Sequence, residues 1–247
     1  MNNATFFFNQ PKNEPVFSYA KGSKERELLS KELEKQYNQC IEIPIIINGK
    51  EIRTGNVSEV VMPTEHSHVL AKFHKADKET VQKAIEAALE ARKKWENVHW
   101  IDRCSIMLRA AELLAGKYRY VINAATMLGQ GKNPFQAEID SACETIDFLR
   151  FNVHYASKIY AQQPLSDNSA INRLEYRGLE GFVYAISPFN FTSIACNLNI
   201  SPVLMGNVTV WKPATTAVLS NYYLMKILQE AGVPDGVINF VPGDGSV

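Results

Sequence analysis

The sequence has no run of apolar residues approaching the roughly 20 needed to cross a bilayer, so it predicts no membrane-spanning helix. It also has no excess of either charge: 26 Lys and Arg against 26 Asp and Glu leave a formal net charge of zero. That balance excludes the basic footprint of a nucleic-acid binder and the polybasic face of a protein docked on acidic lipid. A small molecule is the default partner. Cysteine is scarce, and Cys40, Cys104, Cys143 and Cys196 show none of the paired spacings of a disulfide framework or a zinc site. The chain reads as one from a reducing compartment. Residues 1–8 carry neither the positive start and long apolar segment of a secretory signal nor the arginines of a mitochondrial presequence.

Glycine is sparse as well, and no G-x-G-x-x-G follows any expected strand. Gly129-Gln130-Gly131 runs into Pro134, and Gly243-Asp244-Gly245 meets residue 247. A standard Rossmann dehydrogenase is disfavoured on that ground. Tyr155-Ala156-Ser157-Lys158 has one residue too few between Tyr and Lys for a short-chain dehydrogenase acid/base pair. His66, His68 and His74 cluster without a neighbouring Cys or Asp set, which argues against a metal centre.

What is present is a change of period. Pro11, Pro15 and Gly22 mark residues 1–23 as an extended arm that wraps a core formed elsewhere. Leu28, Leu29, Leu33 and Tyr37 follow at helical spacing. Residues 41–47 then predict one strand, Asn48-Gly49 a tight hairpin turn and residues 51–53 the returning strand. Asp77 opens a helix with Val81, Ile85, Ala88 and Trp95 on one face, and residues 101–115 form another, ended by Gly116. Residues 118–128 continue in helix, Gly129-Gln130-Gly131 breaks it, and Asn133-Pro134 restarts a long helix reaching toward Pro164. Beyond a polar loop at 166–169, alternation over 171–176 predicts a short strand. Strand (181–186), helix (192–205), strand (207–211), helix (218–231) and strand (237–241) then follow in turn. Such alternation argues for parallel strands with helical crossovers, half of a doubly wound α/β sheet. The expected divisions are residues 1–75 as arm, helix and hairpin, 76–165 as a helical part, and 166–247 as an incomplete βαβαβ sheet.

In an open parallel sheet the ligand sits beyond the carboxyl ends of the strands, where Asn190 and Lys212 fall. An Asn amide there can donate to an oxygen gaining negative charge, and a Lys can donate to ribose hydroxyls or a phosphate. The same residues read equally as a loop cap and an exposed surface ammonium.

Ser187-Pro188-Phe189-Asn190-Phe191 followed by Trp211-Lys212-Pro213 resembles the aldehyde dehydrogenase superfamily, whose nicotinamide site dispenses with the glycine fingerprint. Further similarity narrows the branch. It lies in Asn13-Glu14-Pro15-Val16, residues 84–89, Gly129-Gln130-Gly131-Lys132, Gln136-Ala137-Glu138-Ile139-Asp140, residues 148–152 and residues 176–182. Together, and over almost the whole chain from about Asn13, these resemble the enzymes that oxidise L-glutamate gamma-semialdehyde to glutamate in proline breakdown. The resemblance implies a Rossmann-like NAD-binding sheet preceded by an arm and helices. Asn190 would be the oxyanion donor, Ser187 a nicotinamide-side contact, Lys212 the donor to the adenosine ribose of NAD, and Phe191 and Glu138 substrate-side residues.

In the family reaction a Cys thiolate attacks the aldehyde, hydride passes to NAD, and water activated by a Glu cleaves the thioester. None of the four cysteines matches the nucleophile's motif; Cys196, at an expected helix start, reads as a packed small residue. The expectation is an amino-terminal half that lacks the catalytic Cys, Glu and catalytic domain and is inactive alone. The resemblance also implies a small aldehyde substrate, a homo-oligomer (dimer or higher) in the full-length form and the mitochondrial matrix, the cytoplasm being the alternative. A second reading is a non-catalytic truncated subunit that associates with full-length enzyme.

Overall fold

The structure, a computed structural model, describes residues 7–247. The start of the expected arm, residues 1–6, lies outside it, as does most of the segment 1–8 read as carrying neither signal nor presequence. Residues 7–23 of the arm carry no regular secondary structure and lie across helices formed far along the chain. The Phe8 carbonyl accepts from His154 Nδ1 at 2.7 Å, and Asp147 accepts from the Asn13 amide at 2.6 Å and the Glu14 N–H at 2.7 Å. Helix α1 (Lys24–Tyr37) starts where the Ser23 hydroxyl accepts the Arg26 N–H.

The run 41–47 is not one strand but two. Pro44 has no N–H to give a ladder, and there the chain leaves one sheet for another. Strand β1 (Ile41–Ile43) pairs with β5 (Glu65–His74), which also pairs with β4 (Val57–Met62) in a three-stranded sheet. Strand β2 (Ile45–Ile47) turns through Asn48 and Gly49, at φ 50° and 73°, into β3 (Lys50–Ile52). Two successive positive φ values match the type I′ geometry that suits a twisted hairpin, as the Asn-Gly pair predicts.

Helix α2 (Lys78–Trp95) opens on Asp77, which accepts the Thr80 N–H at 2.8 Å; α3 (Trp100–Ala115) follows and ends at Gly116. Helix α4 (Arg119–Gln130) runs through Gly129 and stops only at Gly131, at φ 65°. The restart is α5 (Pro134–Ala137), with a reciprocal capping box between Asn133 and Gln136. The expected regular helix then widens into a π-helical turn, Glu138–Glu144, before α6 (Thr145–Ala161).

Residues 171–176 form no strand. The segment's hydrogen bonds are local, such as Leu174 N–H to Gln163 Oε1 at 2.7 Å, and Leu165 is 93% exposed. Alternation without a ladder partner does not make a strand. The remaining elements are β6 (Val183–Ile186), α7 (Thr192–Leu204), β7 (Thr209–Lys212), α8 (Val218–Ala231) and β8 (Ile238–Phe240). Strands β6, β7 and β8 are parallel and adjacent, as the alternation predicts. The hairpin completes this sheet in the order β3-β2-β8-β7-β6, β2 pairing antiparallel with β8. Strand β8 is therefore an interior strand, and the outer strands of this sheet are β3 and β6. Among the described residues no helix is long and apolar enough to cross a membrane.

Strand β7 faces two ways, as its period of two requires. Thr209 and Trp211 point toward α7 and α8, through Thr209 Oγ1 to Asn199 Oδ1 at 2.9 Å and the Trp211–Ser187–Asn221 contacts. Val210 points to α2, beside Val81 and Ile85. The middle of the sheet is thus covered on both faces, with β8 and most of β7 buried, while Tyr184 and Ile186 of β6 stay exposed.

The hairpin seats on this core at Gly236, where φ is +81° and an added Cβ would lie 2.9 Å from Ala91 Cβ and 3.1 Å from the Ala87 carbonyl. A side chain there is strained in backbone and crowded by the rigid α2 helix. Gly236→Ala is expected to lower unfolding free energy by about 1–3 kcal/mol; an unchanged urea midpoint would refute this account of the turn.

Candidate active site

The two strand tips meet as the parallel pairing demands. Ile186 is in register with Lys212, and the Ser187 N–H donates to the Lys212 carbonyl at 3.2 Å. The Ser187 hydroxyl is buried and accepts from Trp211 Nε1 at 3.0 Å and from Asn221 Nδ2 at 3.4 Å. Lys212 lines a cleft of about 200 Å³ with Val81, Ile85, Tyr184, Val210 and Asp244. Among the described residues no carboxylate lies within 4.0 Å of its ammonium, whereas Asp244 is paired with Lys75 at 3.0 Å. Apolar walls under one uncommitted cation suit a flat ring system bearing hydroxyl or phosphate acceptors.

Asn190 lies beyond β6 and before α7, exposed, and among the described residues its side-chain amide has no hydrogen-bond partner. Its backbone is held, however: Lys132 Nζ donates to the Asn190 carbonyl at 2.6 Å and lies 4.5 Å from the centre of the Phe191 ring. Phe191 is the N-cap of α7 but supplies no side-chain cap. That work falls to Asp140, which accepts the Thr192 N–H at 3.1 Å, the Ser193 N–H at 3.0 Å and the Ser193 hydroxyl at 2.8 Å. A carboxylate at this end also answers the positive pole of the helix. Sequence reading missed Lys132 and Asp140, because each acts on a residue 50 or more positions away and no local pattern marks such a pair.

Glu138, which the resemblance implies is a substrate-side residue, lies enclosed between the arm and the helices. It is 0% exposed, and its oxygens accept from Arg119, from the Tyr19 hydroxyl at 2.6 Å, from Asn123 Nδ2 at 2.7 Å and from the Phe17 N–H at 2.9 Å. Burial by itself raises its carboxyl pKa, but the bonds from Arg119, Tyr19 and Phe17 outweigh burial and hold it below the usual carboxylate range. Its function here is to fasten the arm. Tyr19 takes a left-handed φ of 52° to make the contact. Glu144, six residues on, is the half-buried glutamate that reaches the Asn190 end of α7, with Oε2 2.8 Å from Ser193 Oγ.

Three of the four thiols are closed off. Burial pushes Cys104, Cys143 and Cys196 each up to about 12, so Cys196 is the packed small residue expected at that position. Cys40 is exposed and outside this region of contacts. His68 stacks on Tyr37 at 3.9 Å and His74 bonds Glu42 at 2.6 Å; among the described residues no metal-ligating cluster forms.

The chain is similar to known proteins over nearly its whole length. The model of the aldehyde dehydrogenase family matches residues 51–247. The delta-1-pyrroline-5-carboxylate dehydrogenase of Agaricus bisporus is 53% identical over 246 residues, covering 99% of this chain and 45% of that protein. The mitochondrial delta-1-pyrroline-5-carboxylate dehydrogenase of Homo sapiens is 51% identical over 233 residues, 94% of this chain and 41% of that one. The crystal structure of the Mycobacterium tuberculosis delta-pyrroline-5-carboxylate dehydrogenase bound with NAD superposes with a TM-score of 0.96 at 47% identity, covering 99% of this chain and 46% of that one. The chain thus spans about half the length of the curated relatives it matches.

Proposed function

Since the chain belongs to the aldehyde dehydrogenase family, we propose that it forms the NAD-binding and oxyanion-stabilising part of an enzyme that oxidises L-glutamate gamma-semialdehyde, the open form of 1-pyrroline-5-carboxylate, to L-glutamate. The observation that carries this is the meeting of the two strand tips: an uncommitted ammonium over an apolar cleft beside a loop that presents a free amide. NAD suits the residues present, and when bound it would accept the hydride lost by the aldehyde carbon. Lys212 would donate to its ribose hydroxyls. Ser187, its hydroxyl held by Trp211 and Asn221, would contact the nicotinamide from the tip of β6.

For the chemical step, addition of a nucleophile to the aldehyde turns the carbonyl oxygen into an oxyanion. The Asn190 Nδ2–H donates to that oxygen as charge develops, and a donor held in place before reaction stabilises the transition state without reorganisation. Phe191 flanks the apolar stem of the substrate. Cys104, Cys143 and Cys196 are enclosed, so this reading assigns the nucleophilic thiol to none of them. It places the assembled enzyme, a homo-oligomer, in the mitochondrial matrix; the names of the human and Dictyostelium discoideum relatives, which carry the word mitochondrial, support the organelle.

Calorimetry on the 247-residue chain, checked first for monodispersity, tests the cofactor assignment without requiring turnover. Saturable NAD binding is expected, and Lys212→Ala is expected to weaken it at least about tenfold, or about 1.4 kcal/mol. A folded, monodisperse chain that binds no NAD, or a Lys212→Ala variant that binds as tightly as the parent, would overturn the assignment.

A further inference from the structure

We propose that Lys132 and Asp140 are positioning residues for Asn190, a proposal that rests on the oxyanion role assigned above and adds how that amide is aimed. The Asn190 side chain has two rotatable bonds, but its direction depends first on the backbone that carries it, and that backbone lies in an exposed loop. Loops are ordinarily the least precise supports for a reacting group. This one is tied at both ends. On the strand side the Ser187 N–H is bonded to β7; on the helix side the Asn190 carbonyl and the first two N–H groups of α7 are all bonded to the Lys132–Asp140 pair.

The pair itself is fixed locally. Gly131, in the left-handed region, closes α4, and Asn133 opens α5 with a two-way capping box and Pro134 in the first turn, so Lys132 is the single residue between two helix ends. The turn leaves its backbone little freedom. Its side chain is only 17% exposed, and the ammonium reaches Asp140 Oδ2 at 2.5 Å, the Asn190 carbonyl at 2.6 Å and the Phe191 ring at 4.5 Å. Asp140 is 3% exposed and reaches the α7 start because the π-helical turn rotates it there while Glu138, two residues earlier, meets the arm. One wide turn thus serves two faces, and π-helical turns recur at functional sites.

The pair touches no reacting atom in this reading; it acts through Asn190. A displacement of about 1 Å in a catalytic donor can reduce rate on the order of 100-fold. In the active holoenzyme, Lys132→Met is expected to lower kcat about 10- to 100-fold with KM for NAD within about twofold, and Lys132→Arg to restore most of the loss. Because the effect passes through the amide, Lys132→Met added to Asn190→Ala is expected to lower kcat no further. Asn190→Ala at parental kcat would remove the oxyanion reading and this proposal with it. A large Asn190→Ala loss beside an unaffected Lys132→Met would overturn the positioning role alone, as would losses that multiply in the double variant. In the 247-residue chain, nitrogen-15 relaxation of the Asn190 and Phe191 amides supplies the readout free of turnover. Order is expected to fall in Lys132→Met and Asp140→Asn and to persist in Lys132→Arg; unchanged order in the first two would overturn the clamp.

Discussion

Asn190→Ala is expected to reduce kcat of the holoenzyme by about 10²–10³-fold, equivalent to about 3–4 kcal/mol of transition-state stabilisation, while leaving the protein folded. The size follows from what the amide does and from what it does not do. It is exposed and, among the described residues, has no partner in the folded chain, so its removal breaks no internal hydrogen bond. Stability and NAD affinity are therefore expected to stay near the parent. Under the proposed role, what is lost is a donor to an oxygen that becomes an anion only during reaction, and such an interaction appears in kcat rather than in ground-state binding. Asn190→Asp keeps the shape but replaces a donor with a negative charge, and a loss at least as large is expected. A variant with unchanged kcat, or one whose whole effect lay in KM for NAD, would show that the amide does not meet the developing charge.

The second large effect concerns stability. Glu138→Ala is expected to lower unfolding free energy by about 3–5 kcal/mol, because it leaves the Arg119 guanidinium buried beside one fewer carboxylate. Arg119 is 1% exposed and Glu138 0%. Arg119 also donates to Glu14 and to the Pro15 carbonyl and lies 3.8 Å over the Phe17 ring, so the pair is the point where the arm joins the helices. Hydrogen exchange over residues 13–19 should therefore rise with the loss in stability. Urea unfolding measures the first quantity, and an unchanged midpoint would show that the arm is held by its other contacts, such as those to His154 and Asp147.

The same site sets an acid limit. The Glu138 carboxyl is depressed in the folded state, so the unfolded chain takes up its proton first as pH falls. Stability from this group is complete above the unfolded value near 4.5, begins to decline there, and is lost as pH falls through the lower folded value. Glu138→Ala should flatten that part of the stability profile.

Which features were legible in the sequence follows from the range over which the causes act. Helix ends, the Asn-Gly hairpin, the strand–helix alternation from residue 183 onward and the placement of Ser187 and Lys212 at adjacent strand tips all arise from patterns a few residues long. Turn chemistry, capping and the periods of 2 and 3.6 act at that range. The resemblance carried by residues 187–191 and 211–213 reached the family for the same reason, since those residues are contiguous in the chain. Where a choice needed a distant partner, local pattern misled. Residues 41–47 read as one strand, but Pro44, with β5 beside β1 and β8 beside β2, makes them two strands in different sheets. Residues 171–176 alternate as a strand does and have no strand to pair with.

Regular helical periodicity would set Glu138 and Asp140 on opposite faces with one in solvent. The π-helical turn, with the arm on one side and α7 on the other, buries both. The sequence by itself thus determined the order of elements, the kind of sheet and the residues at its tips, because those follow from short-range sterics and hydrogen bonding. Only the tertiary structure decided that Glu138 fastens the arm and that Lys132 and Asp140 hold the Asn190 loop. Buried charges are tolerated only where partners from far along the chain converge on them, and that convergence exists only once the chain has folded.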